Sequence, residues 1–169
     1  MTAGDLVVGP WGARFRGRHL ACAIGRGGLA LNKREGDGAT PIGVHRFVGL
    51  LYRPDRIGSG ALPDWARPIG AFDRWSDDPR DPAYNHYLPA TPQHPYSSER
   101  LRRADPLYDI VLVTDWNWPW AEAGRGSAIF VHCWRGPRVP TEGCVAFARS
   151  DLLWIVRRLR HADRLVVQG

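Results

Sequence analysis

The chain is short of lysine, methionine and cysteine, has no long apolar run, and carries no compact block of one charge. Each shortage excludes something. No stretch approaches the ~18 consecutive apolar residues of a membrane-spanning helix, so no integral membrane segment is expected. The first thirty residues lack the basic, apolar and small-residue zones of a secretory leader. On that reading the protein stays in the cytoplasm or leaves by a route the sequence does not display. Three cysteines at 22, 133 and 144, with no C-x-x-C pair, make neither a disulfide framework nor a structural zinc site. No metal or other cofactor is expected. Net charge is +6 and nearly every cation is Arg, a side chain suited to carboxylates and phosphates. The arginines are scattered, which argues against a nucleic-acid surface.

Glycine and proline, in contrast, are plentiful, at 19 and 14 of 169 residues. They favour turns, and with them a mainly β fold. Short strand-like runs occur at Leu6–Val8, His19–Ile24, Leu29–Asn32, Val44–Tyr52, Leu107–Thr114, Ala128–Cys133 and Arg164–Val167. Residues 53–106 differ: they hold nine of the fourteen prolines and read as a long irregular insertion, with a short helix possible over Ser97–Arg103. Near the C-terminus, Leu152, Leu153, Ile155, Val156 and Leu159 have helical spacing, with Ser150 where an N-cap would stand and arginines toward the helix end. Neither an internal repeat nor a domain boundary is visible, so residues 1–169 read as one domain.

Chemistry concentrates between Ile129 and Phe147. A strand ends in His132, a turn-rich stretch follows, and Thr141-Glu142-Gly143-Cys144 closes it. A thiol titrates near ~8.5 and needs a neighbouring base or cation to react at neutral pH. Imidazole is the side chain whose ordinary pKa suits that task. Glycine before the cysteine leaves backbone amides open to a developing oxyanion, and the helix downstream would lower the thiol pKa if its N-terminus lay near the sulfur. Strand alternation puts Ala128, Phe130 and His132 on one face and Ile129, Val131 and Cys133 on the other. His132 and Cys133 therefore serve different surfaces, leaving Cys144 as the natural partner of His132. Spacing alone also admits a buried cysteine beside an unrelated histidine. Trp116, Trp118 and Trp120 alternate, as groove-lining or core residues would.

His132, the connection after it, and Thr141-x-Gly143-Cys144-Val145 resemble the signature of the L,D-transpeptidase catalytic-domain (YkuD-like) family. Asp37-Gly38-Ala39-Thr40-Pro41-Ile42-Gly43 resembles the family's D-x-x-T-P-x-G loop. The resemblance covers residues 5–50 and 107–168. It implies a β-sandwich-like core and a cysteine acyl-enzyme mechanism on peptidoglycan stem peptides, with cross-links from diaminopimelate to diaminopimelate or from L-Ala to diaminopimelate. Carried over, Cys144 is the nucleophile, His132 its base with the other ring nitrogen on a backbone carbonyl, and Gly143 with Cys144 the oxyanion loop. Thr141, Glu142 and Arg138 are candidate substrate contacts, joined by Trp75, Tyr84 and Asn85 from the insertion, which is expected to shape access to the site. Carbapenems are implied inhibitors, and the substrate implies the periplasm or cell envelope. One departure from the family pattern is Ala146, where Arg or Asn is usual; Arg135, Arg138 or Arg149 are possible replacements. Hydrolysis by an L,D-carboxypeptidase or endopeptidase, and a non-catalytic wall- or nucleic-acid-binding module, are the alternatives.

Overall fold

The computed structural model describes residues 4–58, 60 and 62–169. The first strands are β1 (Leu6–Gly9), β2 (Gly12–Phe15), β3 (Arg18–Leu20), β4 (Cys22–Ala23), β5 (Leu29–Ala30), β6 (Thr40–Pro41) and the long β7 (Gly43–Tyr52). The insertion contributes β8 (Ala66–Pro68), β9 (Arg74–Ser76), β10 (Tyr87–Leu88) and β11 (Ser98–Arg100). Then follow β12 (Ile110–Thr114), β13 (Phe130–Cys133), β14 (Val145–Phe147), the helix α1 (Arg149–Val156) and β15 (Arg164–Val167).

The main sheet runs β3-β2-β1-β15-β7-β12-β13-β14-β4, with β8 added beside β7. Its two ends, β3 and β4, are consecutive in the chain, so the sheet curls into a nearly closed, barrel-like sandwich. The mainly β fold expected from the turn-rich composition is what forms. Alternation along the central strands splits the apolar residues between two cores. Leu50, Leu112, Val131, Val145 and Phe147 point inward, where Leu152, Ile155 and Val156 of α1 plug the interior. Leu51, Val111, Val113 and Phe130 point outward and are covered by Ile69, Trp75, Leu101 and Tyr108. Hence every residue of β12 is buried, although a strand exposed on one face would alternate. Each such large side chain contributes roughly 1.5–3 kcal/mol when fully removed from water.

Several sequence expectations need correction. Ser97–Arg103 is not helical: Ser98–Arg100 pairs antiparallel with Arg74–Ser76, so ladder hydrogen bonds take the place of a helical turn. The N-cap is Ala148, with no side-chain capping bond, and Ser150 lies inside the helix. The helix has no basic residue in its last turn, because it ends at Arg157 as C-cap before the arginines accumulate. β2, with Ala13 and Phe15 buried and Arg14 exposed, and the fully buried β14 are not among the strands expected from the sequence; both are short segments stabilised by their neighbours across the sheet.

Candidate active site

β13 and β14 run parallel, with Val131 opposite Val145 and His132 opposite Ala146. Partners across a parallel ladder share a face. Val131 and Val145 both enter the inner core, so His132, Ala146 and the preceding Cys144 share the outer face. The expected alternation holds along Phe130–Cys133, with Val131 and Cys133 inward and Phe130 outward, but the strand begins at Phe130 and not at Ala128, which is in the left-handed region. His132 and Cys144 line one cleft of about 330 Å³, together with Glu99, Arg103, Leu107, Tyr108, Arg135, Val139, Pro140, Thr141 and Glu142.

The thiol of Cys144 donates to the carbonyl of Ala128 (3.1 Å) and receives the Phe130 N–H at 3.4 Å. Ala128 sits in the left-handed region at φ 52°, a conformation that costs a non-glycine residue of order 1 kcal/mol or more. Asn85 holds it there. Its Oδ1 accepts the Ala128 N–H and the Trp75 indole N–H, both at 3.0 Å, while its Nδ2 donates to the carbonyls of Trp116 and Asn117.

His132 Nδ1 lies 2.8 Å from the carbonyl oxygen of Cys133. A carbonyl can only accept, so Nδ1 carries the proton and Nε2 keeps its lone pair. A Tyr108 ring stands edge-on to the imidazole, 5.3 Å between centroids. Burial pushes His132 down to about 4. Burial, with the Glu99 carboxylate second, pushes Cys144 up to about 12. The resting pair is therefore a thiol and a neutral imidazole. The helix effect expected from α1 does not lower the thiol, because β14 intervenes between Cys144 and the helix start.

Both sequence motifs meet here. Thr40 Oγ1 donates to the Gly143 carbonyl (2.8 Å) and accepts the Gly25 N–H (2.9 Å). Thr141 Oγ1 donates to the Cys144 carbonyl (2.6 Å) and accepts the Gly143 N–H (3.1 Å). Gly143 adopts φ 137°, and a Cβ there would stand 2.9 Å from the Ala39 carbonyl oxygen. The D-x-x-T-P-x-G loop is thus the platform on which the cysteine loop rests.

Other candidates are placed differently. The Gly143 amide, expected to be open to an oxyanion, is occupied by Thr141 Oγ1. Trp75, Tyr84 and Asn85 are all buried, and none of them lines the Cys144–His132 cleft. Trp75 packs edge-on against Phe130, and Tyr84 donates its hydroxyl proton to Glu35. Arg138 lies outside the cleft, on a separate surface beside Val7, Gly12 and His19. Of the possible replacements for the missing polar residue at Ala146, Arg135 lines the cleft and Arg149 pairs with Asp109 at 3.0 Å. Trp120 is 91% exposed, and Trp118 borders a different groove. Sequence reasoning missed Glu99, Arg103 and Tyr108. No spacing marks them, since they reach the cleft only through the fold of the insertion and its return.

With this geometry in view, the comparison with known families is decisive. The YkuD L,D-transpeptidase catalytic domain matches residues 9–167. The chain belongs to that family. The match runs through the insertion as well as the two motif-bearing blocks. No curated protein and no solved structure matches the chain. No helix among the described residues is long and apolar enough to cross a membrane.

Proposed function

We propose that this L,D-transpeptidase family member is a cysteine-dependent enzyme that forms a thioester between Cys144 and a peptidoglycan stem peptide, then passes the acyl group to an amine. The cross-link is diaminopimelate to diaminopimelate or L-Ala to diaminopimelate, and the place of action is the periplasm or cell envelope, where that polymer lies. The observation that carries the reading is the shared cleft: Cys144 and His132 stand on one sheet face, with the His132 lone pair freed by the bond from Nδ1 to Cys133.

The Cys144 sulfur attacks the stem-peptide carbonyl as His132 Nε2 takes the thiol proton. His132 then returns that proton to the leaving amine. Since the resting pair is neutral, proton transfer accompanies attack and does not precede it. The Gly143 amide being committed, the Cys144 amide is the remaining donor on this loop for the oxyanion. Thr141 and Glu142 line the cleft beside Cys144 and are retained as substrate contacts.

Incubation with muropeptides, followed by mass analysis, tests the proposal. Cross-linked products that disappear in Cys144→Ala are expected, and a His132→Ala protein that remains folded should lose on the order of 10²–10⁴-fold. A carbapenem should add one drug-sized mass to the wild type and none to Cys144→Ala. Absence of any product and any adduct would overturn the reading.

A further inference from the structure

Glu99 has no place in the family motifs. It lies on β11, half-buried, and lines the cleft that holds Cys144 and His132. Its Oε2 accepts the Tyr108 hydroxyl. Among the described residues it has no ion pair, unlike Arg103 of the same cleft, which is clamped by Asp105 at 2.7 Å. The charges acting on Glu99 are Asp77, Arg103 and Glu35, and Glu99 in turn acts on Cys144. Asp77 Oδ1 is itself buried without a hydrogen-bond partner. Arg103 and Arg135 line the same cleft, but neither is ion-paired with Glu99 among the described residues, and burial, followed by the charges of Asp77 and Glu35, raises Glu99 above the usual carboxylate range.

We infer that Glu99 seats the ammonium group of the acceptor that resolves the thioester, takes one of its protons, and so favours aminolysis over hydrolysis. The inference rests on the acyl-enzyme reading above. The acceptor enters as R–NH₃⁺, and one proton passes to the Glu99 carboxylate. The freed lone pair attacks the thioester carbonyl, forming the C–N bond. The second proton moves to His132 Nε2 and from there to the Cys144 sulfur as the C–S bond breaks. Glu99 returns its proton to water. A cation on Glu99 also offsets the like charge that opposes thiolate formation.

The test separates the two half-reactions, with a tetrapeptide stem as donor and free diaminopimelate as acceptor. Mass analysis follows both the acyl-enzyme and the ratio of exchange product to hydrolysed donor. Glu99→Gln should be acylated at least as fast as the wild type, because a like-charge neighbour is gone. Its exchange-to-hydrolysis ratio should fall by about tenfold or more, with a higher KM for the acceptor. The ratio should recover as pH rises toward the amine's own pKa of roughly 10, a recovery that a structural role would not produce. Should Glu99→Gln not fold, Glu99→Asp withdraws the carboxylate by one methylene and should show the same split, about threefold. Normal acylation with an unchanged ratio, or a parallel fall of acylation and exchange, would overturn the inference. Wild-type protein that never forms the acyl-enzyme would overturn the underlying function instead.

Discussion

Cys144 and His132 owe their protonation states to burial more than to each other. A thiol held up at about 12 reacts through a very small thiolate fraction at neutral pH. Alkylation of Cys144 in the free protein should therefore rise about tenfold per pH unit above neutrality. Cys22 and Cys133, more deeply buried at 6% and 2% exposure, should lag behind it. Peptide mapping after timed labelling checks both statements. His132 makes a second prediction. Its pKa is depressed to about 4 from an ordinary 6.5, so the unfolded chain binds the proton first. The associated stability is present above about pH 6.5 and is lost as pH falls toward 4, by about 3 kcal/mol if His132 acts alone. His132→Gln should lose less stability over that window than the wild type, as read by denaturant midpoints. An equal loss would place the acid sensitivity elsewhere, for example at buried His45, which is also shifted down by burial.

At the scale of elements, the insertion acts on the site from behind as well as from above. The proline-rich, aromatic composition of the insertion and its place between the two motif-bearing blocks suggest Trp75, Tyr84 and Asn85 as substrate contacts. In the fold Asn85, tied to the Trp75 indole, holds the Ala128 turn, and Ala128 holds the thiol, while Tyr84 bonds Glu35. Asn85→Ala would strip the partners from buried N–H and carbonyl groups and release a strained residue. The expected cost is on the order of 3 kcal/mol in stability, with slower acylation of Cys144. Thermal melts and acylation rates measured on the same variant check this; acylation at the wild-type rate would show that the turn keeps its shape without Asn85. The residues of the insertion that do reach the cleft, Glu99 and Arg103, come from β11 and the chain just after it.

For the whole molecule, the strand that joins the sheet is the last one. β15 pairs parallel with β1 and antiparallel with β7, linking the N-terminal strands to those that carry the site. Leu165, Val166 and Val167 are all buried there. Ending the chain at Ala162 would leave two unpaired strand edges and an open inner core. Such a protein should lose its cooperative thermal transition, and a variant that still melts sharply would show that the two halves close without β15. Short strands inside the sheet, such as β2 and β14, stay ordered because each is held by neighbours on both sides, whereas β3 and β4 at the two ends have one partner each.

The mainly β class, the alternation across Phe130–Cys133, the C-terminal helix and the family motif at Thr141–Cys144 were legible in the sequence because each depends on local patterning: turn residues, period-two and helical spacing, and a short motif. Helix caps were less legible, since the helix starts where the preceding strand ends and not at the best capping residue. What only the tertiary structure decided are the features made by residues distant in the chain. Thr40 reaches Gly143, Asn85 reaches Ala128, and Glu99 and Tyr108 reach the Cys144–His132 cleft through pairings of β9 with β11 and packing against β13. Sequence spacing carries no record of such contacts. The thiol's neutrality belongs with them, because desolvation depends on what covers a group and not on which residues flank it.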